Sequence, residues 1–182
     1  MTMISKSSIV TLFAACLITN SYAEETKNSC DGIISHDPAR MYDFKIGEWD
    51  INWRNKTGPE TVFEFTAISK AYTLMDGDIM FDEQTSDVFK GVTFRTYDTA
   101  QKEWIVRWLP ANQNFPHPIS AKLENCVPVE RHRQTLPDGR EVMARTSFTE
   151  ITEDRFLFRQ DWSFDDGDTW LPDVLFYEAT RR

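Results

Sequence analysis

The residue whose setting best suits acid/base chemistry is His117, held between two prolines in Asn114-Phe115-Pro116-His117-Pro118. An imidazole titrates near neutral pH, and a stiff loop can present it to a substrate. Two carboxyl groups, Asp161 and Glu178, are the other catalytic candidates. Strand alternation puts Asp161 on the face opposite Trp162, so the pattern does not bring the pair together for two-carboxylate chemistry. Asp165-Asp166-Gly167-Asp168 lacks the frame and closing glutamate of a calcium loop and reads as a hairpin turn. Neither Cys30 nor Cys126 has a second cysteine at zinc-ligand spacing. No nucleophile elbow, phosphate loop or zinc-peptidase motif is present, so neither a metal nor a cofactor is expected.

Binding chemistry is better represented. The chain has 13 phenylalanines and 6 tryptophans, and many recur at every second position. Trp53, Phe63, Phe65, Trp104, Trp108, Phe148, Phe158, Trp162 and Phe176 are expected to share an inner face. Such a set serves either as plain core or as the lining of a cavity. Polar residues on that face favour the second reading, because a buried polar group needs a partner. Gln160 lies between Phe158 and Trp162, Thr146 precedes Phe148 by two, and Arg95 follows Thr93. The ligand-binding candidates are therefore Trp53, Phe65, Arg95, Trp104, Trp108, Phe158, Gln160, Trp162 and Phe176. Arg107 is expected to face outward, and His132, in Glu130-Arg131-His132-Arg133, reads as a surface strand residue.

The elements that must position these residues are strands. Runs rich in aromatic and β-branched residues span residues 47–53, 61–69, 78–84, 89–97, 103–109, 119–125, 127–134, 141–151, 155–164 and 170–180. Turn chemistry separates them, as in Lys56-Thr57-Gly58-Pro59, Asp76-Gly77 and Leu136-Pro137-Asp138-Gly139. The connections are too short for crossover helices, which implies an all-β antiparallel meander. In Ile46-Gly47-Glu48-Trp49-Asp50-Ile51-Asn52-Trp53, alternation puts Gly47, Trp49, Ile51 and Trp53 on one face and the polar residues on the other. Closure into an up-and-down barrel of about eight to ten strands would remove exposed edges. A short helical turn is expected just before the first strand, with Asp37 capping and Pro38 in the first turn.

Tyr42-Asp43-Phe44-x-Ile46-Gly47-Glu48-Trp49-Asp50 and the ending Phe176-Tyr177-Glu178-Ala179-Thr180-Arg181-Arg182 resemble those of bacterial lipocalin-like, calycin-type barrel proteins of poorly defined function. The resemblance implies a barrel around a small, largely apolar molecule. It also implies that Trp49 seals one barrel end against Arg181 or Arg182. That family uses eight strands, so two of the ten runs are expected to be flaps or split strands. Haem binding, known in some related barrels, would need a late axial histidine, which the last strands lack.

Residues 1–23 read as an export signal: Lys6, an apolar run over residues 9–18, and a small-x-small site at Ser21-Tyr22-Ala23. The run is too short for a membrane span. A lipid-anchored form through Cys16 is the alternative. Residues 24–40 form a polar leader and residues 41–182 the barrel domain. Export to the periplasm or the medium would let Cys30 and Cys126 pair. The formal charge of −9 makes nucleic acid and anionic membranes poor partners. The leading expectation is an exported barrel that binds a small hydrophobic or amphipathic molecule. The alternative is a metal-independent acid/base isomerase, cyclase or hydratase in the same barrel, and the oligomeric state is left open.

Overall fold

In a computed structural model of the chain, residues 34–58, 60–111 and 118–182 are described. They contain ten antiparallel strands: β1 (Gly47–Lys56), β2 (Val62–Leu74), β3 (Ile79–Thr85), β4 (Lys90–Asp98), β5 (Glu103–Pro110), β6 (Ile119–Glu124), β7 (Val127–Thr135), β8 (Glu141–Thr149), β9 (Arg155–Ser163) and β10 (Leu171–Arg181). Each strand pairs with its sequence neighbours, and β1 pairs with β10 to close the barrel. All ten runs are barrel staves, so the expectation of two flaps is corrected. Residues 1–33, which hold the expected export signal, most of the expected leader, Cys16 and Cys30, lie outside the described residues, as does His117. Among those described, no helix is long and apolar enough to cross a membrane.

Alternation predicts the facing of β1 correctly. Trp49 and Ile51 are buried, while Glu48, Asp50 and Asn52 are exposed. β2 follows suit over Phe65, Ala67, Ser69 and Ala71. Gly91 on β4 sits beside an indole; a Cβ there would lie 2.5 Å from Trp108 Cη2 and 2.9 Å from the Leu109 carbonyl.

The chain entering β1 plugs one end of the barrel. Two 3-10 turns, Pro38–Arg40 and Asp43–Lys45, form there, and the Asp37 side chain accepts from Ala39 N at 2.9 Å. Met41, Tyr42, Phe44 and Lys45 are all buried. Tyr42 meets Trp104 edge-on at 5.3 Å, and Phe44 meets Phe156 at 5.1 Å. Trp104 Nε1 donates to Pro38 O at 2.8 Å, and Trp49 Nε1 donates to Lys45 O at 2.7 Å. These two bonds fasten the plug to β5 and β1, and the edge-on ring pairs add about 0.5–1.5 kcal/mol each. The Arg181 guanidinium lies 4.1 Å from the centre of the Trp49 ring, and its Nη1 donates to Ile46 O at 3.1 Å. Gly47 has φ +127°, and a Cβ there would collide with Arg181 Nη1. Only glycine accepts both conditions.

β6 and β7 are joined by a two-residue turn, Asn125-Cys126, with φ 48° and 64°. Paired positive φ values are the signature of a tight hairpin turn. Cys126 therefore sits at a hairpin tip.

Candidate functional site

Above the plug, the barrel encloses a cavity of about 510 Å³. Trp53, Phe65, Phe89, Trp108, Phe158 and Tyr177 supply its aromatic wall. Trp53 stacks on Phe65 at 5.8 Å and meets Tyr177 at 4.6 Å, Phe158 and Tyr177 stack at 4.5 Å, and Phe89 meets Trp108 at 5.7 Å. Six of the nine expected ligand-binding residues line this space: Trp53, Phe65, Arg95, Trp108, Phe158 and Gln160.

Three of the nine do not line it. Trp104 faces inward but is spent on packing the plug. Trp162 lies on the Gln160 side of β9, donating from Nε1 to Gln160 Oε1 at 3.0 Å, away from the cavity wall. Phe176 is on the outside, between the guanidiniums of Arg54 and Arg159 at 5.3 and 5.1 Å. The register of β10 against β9 shifts between Leu171 and Leu175, where Asp173 has φ 52°. Two extra residues of β10 are accommodated there, and beyond them Tyr177 and Ala179 pair with the inward Trp53 and Ile51 of β1, which turns Tyr177, not Phe176, to the interior. Glu178, opposite the outward Asn52 of β1, is outside and paired with Arg155. Asp161 is also outside, bonded to Arg145 at 2.8 Å and accepting from Asp173 N at 3.0 Å. Neither carboxyl group lines the cavity, although the sequence marks both as catalytic candidates. Asp165 is the core of a hairpin turn, accepting from Thr169 N at 2.9 Å.

The floor of the cavity carries four charges, of which the sequence pattern pointed only to Arg95. Lys45, Asp82, Arg95 and Glu130 are between 0% and 6% exposed. Arg95 Nη1 bonds Asp82 Oδ2, and Arg95 Nη2 lies 3.7 Å from Glu130 Oε1. Thr93 Oγ1 donates to Asp82 Oδ1 at 3.2 Å, and Tyr42 OH donates to Glu130 Oε1 at 2.8 Å. Lys45 Nζ is 3.9 Å from Asp82 Oδ2, 3.5 Å from Tyr177 OH and 4.7 Å from the centre of the Phe148 ring. Two cations and two carboxylates thus compensate one another in a low-dielectric interior. Burial alone would raise the Asp82 pKa, but Arg95 and Lys45 outweigh it and hold the carboxyl below its ordinary value. Burial raises the pKa of Tyr42 and Tyr177, keeping both hydroxyls protonated, Tyr42 donating to Glu130 and Tyr177 accepting from Lys45.

Burial lowers the Lys45 pKa to about 8, against the pull of Asp82. Above about pH 8 the folded chain releases this proton, whereas the unfolded chain holds it to about 10.5. The unfolded state then binds more protons, so stability rises with pH in that window. Near pH 10 tyrosines of the unfolded chain begin to ionise and the sign reverses. From pH 8 to pH 10 the unfolding free energy should therefore gain about 2 kcal/mol from Lys45. Urea melts of the parent protein and of Lys45→Met check this, and the variant should lack the gain.

His132 is a further correction. It lines the cavity rather than the outer surface, on the same face of β7 as Glu130 and Gln134. Its Nε2 lies 3.3 Å from Gln134 Oε1, and burial lowers its pKa, so the ring is neutral at pH 7. Among the described residues, six buried side-chain polar atoms have no hydrogen-bond partner: Trp53 Nε1, Asn55 Oδ1, Gln84 Oε1, Arg95 Nε, His132 Nδ1 and Thr149 Oγ1. All but the last belong to residues that line the cavity. Gln160, by contrast, is satisfied, donating from Nε2 to Thr146 Oγ1 at 2.9 Å. Among the described residues there is no cluster of histidine, cysteine and carboxylate groups able to hold a metal.

Fold and site together define a closed antiparallel barrel with an aromatic cavity over a charge-compensated floor. No protein-family model matches the chain, and no curated protein matches it.

Proposed function

We propose that this protein is an exported, lipocalin-like barrel that binds a small amphipathic molecule in the cavity above the Lys45–Asp82–Arg95–Glu130 floor. The observation that carries this reading is the concentration of unpartnered buried polar atoms on cavity-lining residues. Buried polar groups are nearly always satisfied, and each one left bare costs about 1–3 kcal/mol. A ligand that meets them removes that cost. Aromatic walls with a few convergent polar groups and a volume of about 510 Å³ fit the general form of small-molecule sites. The lipocalin-like reading draws support from Arg181 covering Trp49 at the plugged end. The acid/base alternative is weakened by the outward placement of Asp161 and Glu178.

Export rests on the character of residues 1–23, and a Cys30–Cys126 disulfide would follow from it. Native mass spectrometry of protein taken from the exported fraction tests the binding reading. The folded mass should exceed the denatured mass by a few hundred daltons, whereas equal masses would count against a retained ligand. The denatured mass reports cleavage after Ala23 and any lipid on Cys16.

Trp108→Ala should separate binding from folding. Trp108 is only partly buried, so the change should weaken ligand binding at least about tenfold while lowering stability by less than about 2 kcal/mol. Calorimetric titration and denaturant melts read the two effects. Comparable losses in both would assign Trp108 to the core alone.

A further inference from the structure

Resting on the cavity reading above, we infer that the bound molecule is uncharged and carries an O–H or N–H group, and that His132 Nδ1 is the atom that accepts it. Gln134 Oε1 can only accept, so its 3.3 Å approach to His132 Nε2 places the proton of the neutral ring on Nε2. Nδ1 is then left with a lone pair. That atom is buried without a partner among the described residues, on a cavity-lining side chain. It can be satisfied only by a donor.

The charge of the ligand follows from the floor. Lys45 and Arg95 already face Asp82 and Glu130, so an ionised ligand would be desolvated with no counter-charge in reserve. Two unpartnered donors, Trp53 Nε1 and Arg95 Nε, complement the acceptor. The site is therefore matched to a neutral, ring-bearing molecule with one hydroxyl or amine donor and one carbonyl-type acceptor. A site built to bond a donor discriminates strongly against the analogue that lacks it.

Three naphthalene congeners test this by calorimetric titration of the full chain at pH 7: 6-hydroxy-2-acetylnaphthalene, its 6-methoxy ether and 6-hydroxy-2-naphthoate. The hydroxy ketone should bind at least about tenfold more tightly than the ether, which lacks the donor, and than the carboxylate. His132→Phe should abolish the preference for the hydroxy ketone over the ether. His132→Asn, whose Oδ1 falls near the position of Nδ1, should retain it. An ether bound as tightly as the hydroxy ketone by the parent protein overturns the inference, whether or not the variants fold, and leaves the cavity reading standing. Tighter binding of the carboxylate overturns the uncharged ligand, and a preference that survives in folded His132→Phe overturns the assignment of Nδ1. Failure of all three congeners to bind overturns the cavity reading together with the inference.

Discussion

Exchanging Arg95 for methionine should lower the unfolding free energy by about 3–5 kcal/mol at pH 8, the loss expected when one partner of a buried ion pair is removed. Methionine fills most of the space but removes the charge that faces both Asp82 and Glu130. Two buried carboxyl groups would then share a single cation, Lys45. Without the guanidinium, burial dominates at Asp82 and its pKa rises above the unfolded value. A raised folded pKa gives stability that is present at low pH and lost as pH rises through it. The variant should therefore be closer to the parent at pH 5 than at pH 8. The double variant Arg95→Met/Asp82→Asn restores one cation against one carboxylate and should recover at least half of the loss. Urea unfolding at the two pH values, arranged as a double-mutant cycle, checks the result. A single variant as stable as the parent at pH 8 would mean that the floor is not held by its charges.

Trp49→Ala should be about as damaging, for a different reason. Trp49 is 1% exposed, its indole meets Phe156 edge-on at 4.8 Å, and Arg181 covers its other side. Truncation opens a void beneath the plug and leaves Lys45 O without its donor. Large aromatic truncations of this kind cost about 3–5 kcal/mol. Arg181→Ala removes only the cover and should cost about 1 kcal/mol. Denaturant midpoints of the two variants, set beside Trp108→Ala, rank the plugged end against the cavity end. The expected order of loss is Trp49, then Trp108, then Arg181 or level with it.

Much of this architecture could be read from the chain itself, and the exceptions have physical causes. All ten runs became strands because each is bounded by turn residues and rich in residues that suit a pleated, half-buried surface. β1 was legible to the residue because polar and aromatic positions strictly alternate. β10 was not: Leu175-Phe176-Tyr177 offers three large apolar residues in a row, and only the pairing of Tyr177 with the inward Trp53 of β1 decides which of them turns inward. β3 inverts the usual rule, with Asp82 and Gln84 inside while Phe81 and Glu83 lie on the outer side. A carboxylate becomes a core residue only when a cation elsewhere in the sequence meets it, and no local pattern encodes the pairing of Asp82 with Arg95. His132 was hidden for a related reason, since in Glu130-Arg131-His132-Arg133-Gln134 every side chain is polar and alternation leaves no trace. Arg95 stood out because it follows Thr93 by two on a strand of mixed character, which put a charge among the candidate inner residues.

The closing pair of strands sets the order in which the chain can mature. Nine of the ten pairings join consecutive strands, whereas Trp49 must find Arg181 across nearly the whole domain. Hairpins β2 to β9 can form one after another as synthesis proceeds. The circle stays open until the final strand has emerged, and until then the four charged side chains of the floor remain hydrated rather than paired in a dry interior. Assembly is thus a late, all-at-once event gated by the last dozen residues, and a nascent chain halted short of them would display an open, aromatic-faced sheet to chaperones and proteases.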